Sequence, residues 1–159
     1  MLYKDFYAGD NMHRLGINVS GIDEIEKMSG KATIKKIQKA AENKNMNIKV
    51  TSNGKTTVFK LNDSRASKEL YSQLPLDIKV EDYGGIEKIF YPPKKLDTTG
   101  TPRADSTAGT LAYYAPWGDV VMFYKPFGSA SGLYKLGEAI EGADNIRGMS
   151  GTITVEKGE

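Results

Sequence analysis

Gly109-Thr-Leu-Ala-Tyr-Tyr-Ala-Pro-Trp-Gly-Asp-Val-Val-Met-Phe-Tyr124 is the stretch on which the fold turns. Two runs of aromatic and β-branched residues, Leu111 to Tyr114 and Val120 to Tyr124, flank Ala115-Pro116-Trp117-Gly118-Asp119. Such side chains suit a pleated, half-buried surface, while Pro and Gly interrupt it, so the stretch reads as a β-hairpin.

Working outward, the chain keeps this β character from about residue 46 to its end. Asn47 to Ser52 and Thr56 to Leu61 are joined by Ser52-Asn53-Gly54-Lys55. Asn-Gly is a strong hairpin signal because both residues tolerate positive φ. Asn62 or Asp63 is expected to cap a helix running through Leu74, with Ala66, Leu70 and Leu74 on one face and Leu74-Pro75-Leu76 stopping it. Further strands are expected at Ile78 to Tyr83, Glu87 to Tyr91, Leu133 to Ile140 and Thr152 to Glu156. Pro92-Pro93 breaks one run, and Thr98 to Ala108 reads as a long polar surface loop. About eight strands with one short helix predict a mainly β architecture, a closed or nearly closed barrel.

Residues 1–45 differ. Leu15 to Ile22 is a short strand-like run, and Ile34, Ile37, Ala40 and Ala41 recur at helical spacing in Ala32 to Glu42. This predicts an α/β appendage over 1–45 and a barrel domain over 46–159. The appendage leaves an unpaired strand, which keeps segment exchange into a homodimer open.

Composition narrows the chemistry. The 159 residues contain no cysteine and one histidine, His13, which excludes disulfides, thiolate nucleophiles and zinc sites built on several histidines. A net charge of +2 from 22 basic and 20 acidic residues supplies no broad field for nucleic acid. The lysines from Lys31 to Lys44 read as a solvated helix face. No metal, resident cofactor, nucleic acid or membrane partner is expected, and a cytoplasmic location is the default.

The order of the Asn-Gly hairpin, Phe59-Lys-Leu-Asn-Asp63, Leu74-Pro75-Leu76, Gly85-Ile-Glu-Lys88, the Gly109 hairpin, Val121-Met-Phe-Tyr124 and Lys135-Leu-Gly137 resembles the small bacterial cyclophilin-like proteins. The resemblance spans Asn47 to Glu156 and implies a cyclophilin-type barrel of about eight strands with a capping helix. Isomerase cyclophilins carry an arginine shortly before Phe-Met-x-Gln and a histidine later; this chain has neither in that context. Tyr7-Ala-Gly9, Arg14 to Ile22 and the lysine-rich helix resemble the final strand and helix of a flavodoxin-like domain. That resemblance implies FMN only within a longer fusion, since a remnant of this extent would lack the phosphate loop at such a domain's start.

The candidate site is a groove lined by Trp117, Tyr113, Phe123, Tyr91 and the loop Gly128-Ser-Ala-Ser-Gly132. Trp117 can stack on a proline or planar ligand, or plug a barrel end. Of Tyr113, Tyr114, Phe123 and Tyr124, alternation sends one of each pair inward and leaves the other for a groove. Glu87 either pairs with Lys88 or presents a carboxylate to ligand. Acid-base work needs a second carboxylate, which no spacing identifies. Arg103 and Asp105-Ser106-Thr107 offer hydrogen-bonding groups on the long loop. The expected function is binding of a peptide or small planar molecule. Prolyl isomerisation with a rearranged site, Arg103 steadying the twisted amide, and accessory service to a flavodoxin-like FMN redox protein are the alternatives.

Overall fold

The structure, a computed structural model, describes residues 46–158; the expected strand-helix appendage and its flavodoxin-like resemblance lie outside the described residues. Nine strands and one α-helix follow in order: β1 Asn47–Ser52, β2 Lys55–Leu61, α1 Arg65–Ser72, β3 Leu76–Lys79, β4 Glu81–Tyr83, β5 Glu87–Phe90, β6 Thr110–Tyr114, β7 Asp119–Phe123, β8 Leu133–Glu141 and β9 Thr152–Lys157. A 3₁₀ turn, Ala143–Gly148, leads into β9. They form one antiparallel sheet in the order β3-β9-β1-β2-β8-β6-β7-β5-β4.

The two edge strands, β3 and β4, are joined in sequence by the single residue Val80. The sheet therefore curls until its ends meet, giving a nearly closed mainly β barrel. This corrects the expected continuous strand from Ile78 to Tyr83. Its first half pairs with β9 (Ile78 opposite Ile153) and its second with β5 (Asp82 opposite Lys88). One straight strand cannot serve both partners, so the chain bends at Val80, whose N–H donates to the Gly151 carbonyl at 2.9 Å. The count accordingly rises from eight to nine. Shifts of register between Val58 and Phe59 and between Leu111 and Ala112 mark bulges against β8, where curvature concentrates.

Asn53 (φ 51°) and Gly54 (φ 74°) make the β1–β2 turn, as Asn-Gly predicts. The N-cap lies one or two residues beyond the expected Asn62 or Asp63, and the helix ends at Ser72, short of the expected Leu74. Its N-cap is Ser64, whose hydroxyl accepts from the Ser67 N–H. Asn62 is already committed: its Oδ1 accepts from the Ser64 N–H and its amide donates to the Lys135 carbonyl at 2.6 Å. Ala66, Leu70 and Leu74 pack into the barrel core beside Ile48, Phe59, Phe90, Leu111, Met122 and Leu136. Each large apolar side chain so buried contributes roughly 1.5–3 kcal/mol.

A second, smaller apolar cluster lies on the other face of the sheet: Ile89, Ala112, Val121, Phe123 and Leu133, with Ala104 from the long loop. The register explains it. Ile89 stands opposite Val121, and Val121 opposite Ala112, so these three share the outer face while Phe90, Val120 and Tyr113 share the inner one. Segments 101–106 and 127–132 cover part of this outer cluster. The expected free loop is instead tied down by the Ala104 N–H to the Leu133 carbonyl (3.1 Å) and the Ser106 N–H to the Gly128 carbonyl (2.7 Å). Its polar backbone completes the sheet edge, which composition does not reveal.

Candidate functional site

The outer-face cluster is left open at one end, where it forms a pocket of about 210 Å³. Its floor is Val121, Phe123 and Leu133; its walls carry Tyr83, Tyr114, Trp117, Phe127 and Ala130, and its polar groups are Glu87 and Asp119. Strand alternation supplies both acids. Asp119, Val121 and Phe123 point the same way from β7, and Glu87, opposite Phe123, joins them from β5.

Trp117 stands 47% exposed at the mouth. Tyr83 meets it edge-on at 5.1 Å and 87°, and Tyr114 at 5.5 Å and 79°. Phe123 and Phe127 stack at 5.6 Å and 14°. The turn holding Trp117 is fixed by the Gly118 N–H on the Tyr114 carbonyl at 2.8 Å, and Gly132 closes the rim. Gly132 adopts φ +85°, and a Cβ there would sit 2.7 Å from the Pro116 ring, so only glycine fits.

Asp119 is 1% exposed, and its Oδ1 has no hydrogen-bond partner among the described residues. Burial pushes its carboxyl up from 3.8 to about 6, against the pull of its own backbone N–H. Glu87 rises from 4.5 to about 7, first through burial and then through the charge of Asp119. The pair thus share one electrostatic environment, and neither enters an ion pair among the described residues. Lys88 alternates to the other face of β5. There its Nζ lies 2.8 Å from Asp82 Oδ2, which also accepts from the Tyr124 hydroxyl at 2.9 Å. That contact, chiefly the Lys88 hydrogen bond, holds Asp82 below its ordinary value. Among the described residues no group of three or more carboxylate or imidazole side chains is placed to hold a metal ion.

Of the groove residues named from sequence, Trp117, Phe123 and Glu87 meet in this pocket, with Ala130 from the Gly128 loop. Tyr113 does not. It is 1% exposed within the barrel core, where its hydroxyl accepts from the Leu96 N–H at 3.1 Å. Its neighbour Tyr114 takes the outer position. Tyr91 lies beyond the lining, near enough for Asp119 to add to the burial that raises its hydroxyl. Arg103 is turned away, its guanidinium 4.7 Å over the Tyr134 ring. Sequence reading missed Asp119, Tyr83 and Phe127. Asp119 reads as a turn residue after Gly118, although its two-residue spacing to Val121 and Phe123 was a usable signal.

The model of a family described as the cyclophilin-like family matches residues 50–156 of the chain. The chain belongs to that family. This cyclophilin-like chain is also similar in fold to the hypothetical protein AF2241 from Archaeoglobus fulgidus, known from a solution structure. The TM-score is 0.56 at 14% identity, over 72% of this chain and 95% of that one. No curated protein matches. Among the described residues no helix is long and apolar enough to cross a membrane.

Proposed function

We propose that this cyclophilin-like domain binds a small planar molecule in the outer-face pocket between Trp117 and Phe127. Trp117 carries the reading. A half-exposed tryptophan held edge-on by two tyrosines presents an apolar face to solvent in a fixed orientation, a preorganised surface for a ring. The volume of about 210 Å³ is below the ~300–1,000 Å³ of sites that enclose whole drug-sized ligands. It suits one ring and its substituents. The lining contains no arginine or histidine among the described residues, so binding is favoured over prolyl isomerisation.

The test is chemical-shift mapping with ring-sized planar compounds and, in parallel, short Xaa-Pro peptides. Shifts gathered on Tyr83, Glu87, Trp117, Phe127 and Ala130 with the compounds are expected. Shifts confined to other parts of the barrel would refute the pocket. Peptide shifts alone would replace the small molecule by a peptide.

A further inference from the structure

We infer that the occupant of this pocket is an organic cation: a protonated nitrogen base whose N–H groups meet Asp119 and Glu87 while its apolar body rests on Trp117, Tyr83 and Tyr114. The inference rests on the proposed pocket and adds the charge of its ligand. Its first support is Asp119 Oδ1, an acceptor taken out of water and without a donor among the described residues. Buried acceptors are almost always satisfied, so an orphan on a residue that lines the pocket leaves room for a donor from the ligand.

The second support is the balance of charge. Among the described residues two acids and no base line the pocket. Lys88, the neighbouring cation on β5, is turned to the opposite face and engaged by Asp82. Lys95 runs its stem past Gly118 but forms no ion pair with either acid. An anionic ligand would meet two carboxylates with no counterion, and a neutral one would leave the orphan acceptor to a weaker donor.

The aromatic walls are the third. Trp117 stands nearly perpendicular to Tyr83 and Tyr114, so faces and edges of three rings enclose the mouth. The faces of such rings attract cations, most strongly where water is excluded. Burial holds both carboxyls toward their neutral forms, and a bound cation would reverse that, drawing both to the ionised state.

Benzamidine and benzamide separate the charge from the shape, since both are flat, of equal size, and differ in that only the amidinium is cationic. Titration of the full chain with each at pH 8, followed by amide shifts, is expected to give binding at least about tenfold tighter for benzamidine. Shifts should centre on Tyr83, Glu87, Trp117 and Asp119. In Asp119→Asn, or in Glu87→Gln should the first variant not fold, the preference should shrink to about threefold or less. Equal affinities in the native protein, with the same pocket shifts, would overturn the cation and leave the pocket standing. No pocket shifts with either compound would overturn both.

Discussion

Replacing Asp119 by Asn should move the stability difference in favour of the variant as pH rises from acid to alkaline. In the native protein burial raises the Asp119 carboxyl from 3.8 to about 6. At about 1.4 kcal/mol per unit, the ionised form costs the folded state about 3 kcal/mol relative to the neutral one. The sign follows from linkage. With the folded value above the unfolded one, the contribution is fully present below pH 3.8 and is lost as pH rises through about 6. Roughly 2 kcal/mol of that loss falls between pH 4 and pH 8. Asn does not titrate and does not suffer it. The amide leaves its own unsatisfied hydrogen bonds, but at both pH values alike, so they drop out of the difference. Asp82 and Asp97, both held below their ordinary values, cancel because they are common to the two proteins. Losing the Asp119 charge also relieves Glu87, which changes stability in the same direction. Urea unfolding of both proteins at pH 4 and pH 8 gives the quantity directly. The stability difference should move by about 2 kcal/mol in favour of Asn on going to pH 8. A difference that stays constant, or moves toward the native protein, would refute the buried, unpaired carboxylate.

Tyr113→Phe removes the acceptor of the buried Leu96 N–H and should cost about 1–3 kcal/mol in urea unfolding; benzamidine shifts should be unchanged, since the ring lies inside the barrel. Gly132→Ala forces a side chain into a positive-φ position against Pro116. It should destabilise by about 1–3 kcal/mol and broaden or move the Trp117 indole resonance, and an unchanged spectrum would count against a rigid rim. Benzamidine affinity should rise with pH between 5 and 8 and then level, because the cation favours ionised carboxylates and these titrate at about 6 and about 7. Near Asp119, Glu81, Tyr83 and Tyr91 bring no positive charge; Tyr124 faces Glu87 with Arg147 beyond it, and Lys95 passes at the Gly118 end. Calorimetry in buffers of different ionisation heat should detect protons released on binding, and proton uptake would contradict the argument.

Much of the barrel is legible in the sequence because its strands obey simple local rules. Asn53-Gly54 states its own turn, Leu74-Pro75 lies just past a helix that ends at Ser72, and the aromatic runs around Trp117 alternate as paired strands must. The closure at Val80 is not legible, because nothing local distinguishes a strand that changes partners from one that continues. Nor is the anchoring of the long loop, whose backbone bonds to Leu133 and Gly128 depend on partners some 20–30 residues away. In the pocket, Trp117, Phe123 and Glu87 stand out as residue types. Choosing Tyr114 over Tyr113 requires knowing which face of β6 turns inward, and that phase is set by the whole barrel. Asp119 was hidden by its position at the end of a turn, where an acidic residue is ordinarily solvated.

The odd-even alternation of β7 has a consequence for how this protein can change. Val120 and Met122 face the core, while Asp119, Val121 and Phe123 face the pocket. Adjacent positions on one short strand therefore answer to different selective pressures. Substitutions at the even positions would alter whether the barrel folds, and those at the odd positions would alter what the proposed pocket recognises. If the proposed pocket binds ligand, its preference could drift along β5, β6 and β7 without repacking the interior, so that specificity and folding are carried by separate positions of the same strands.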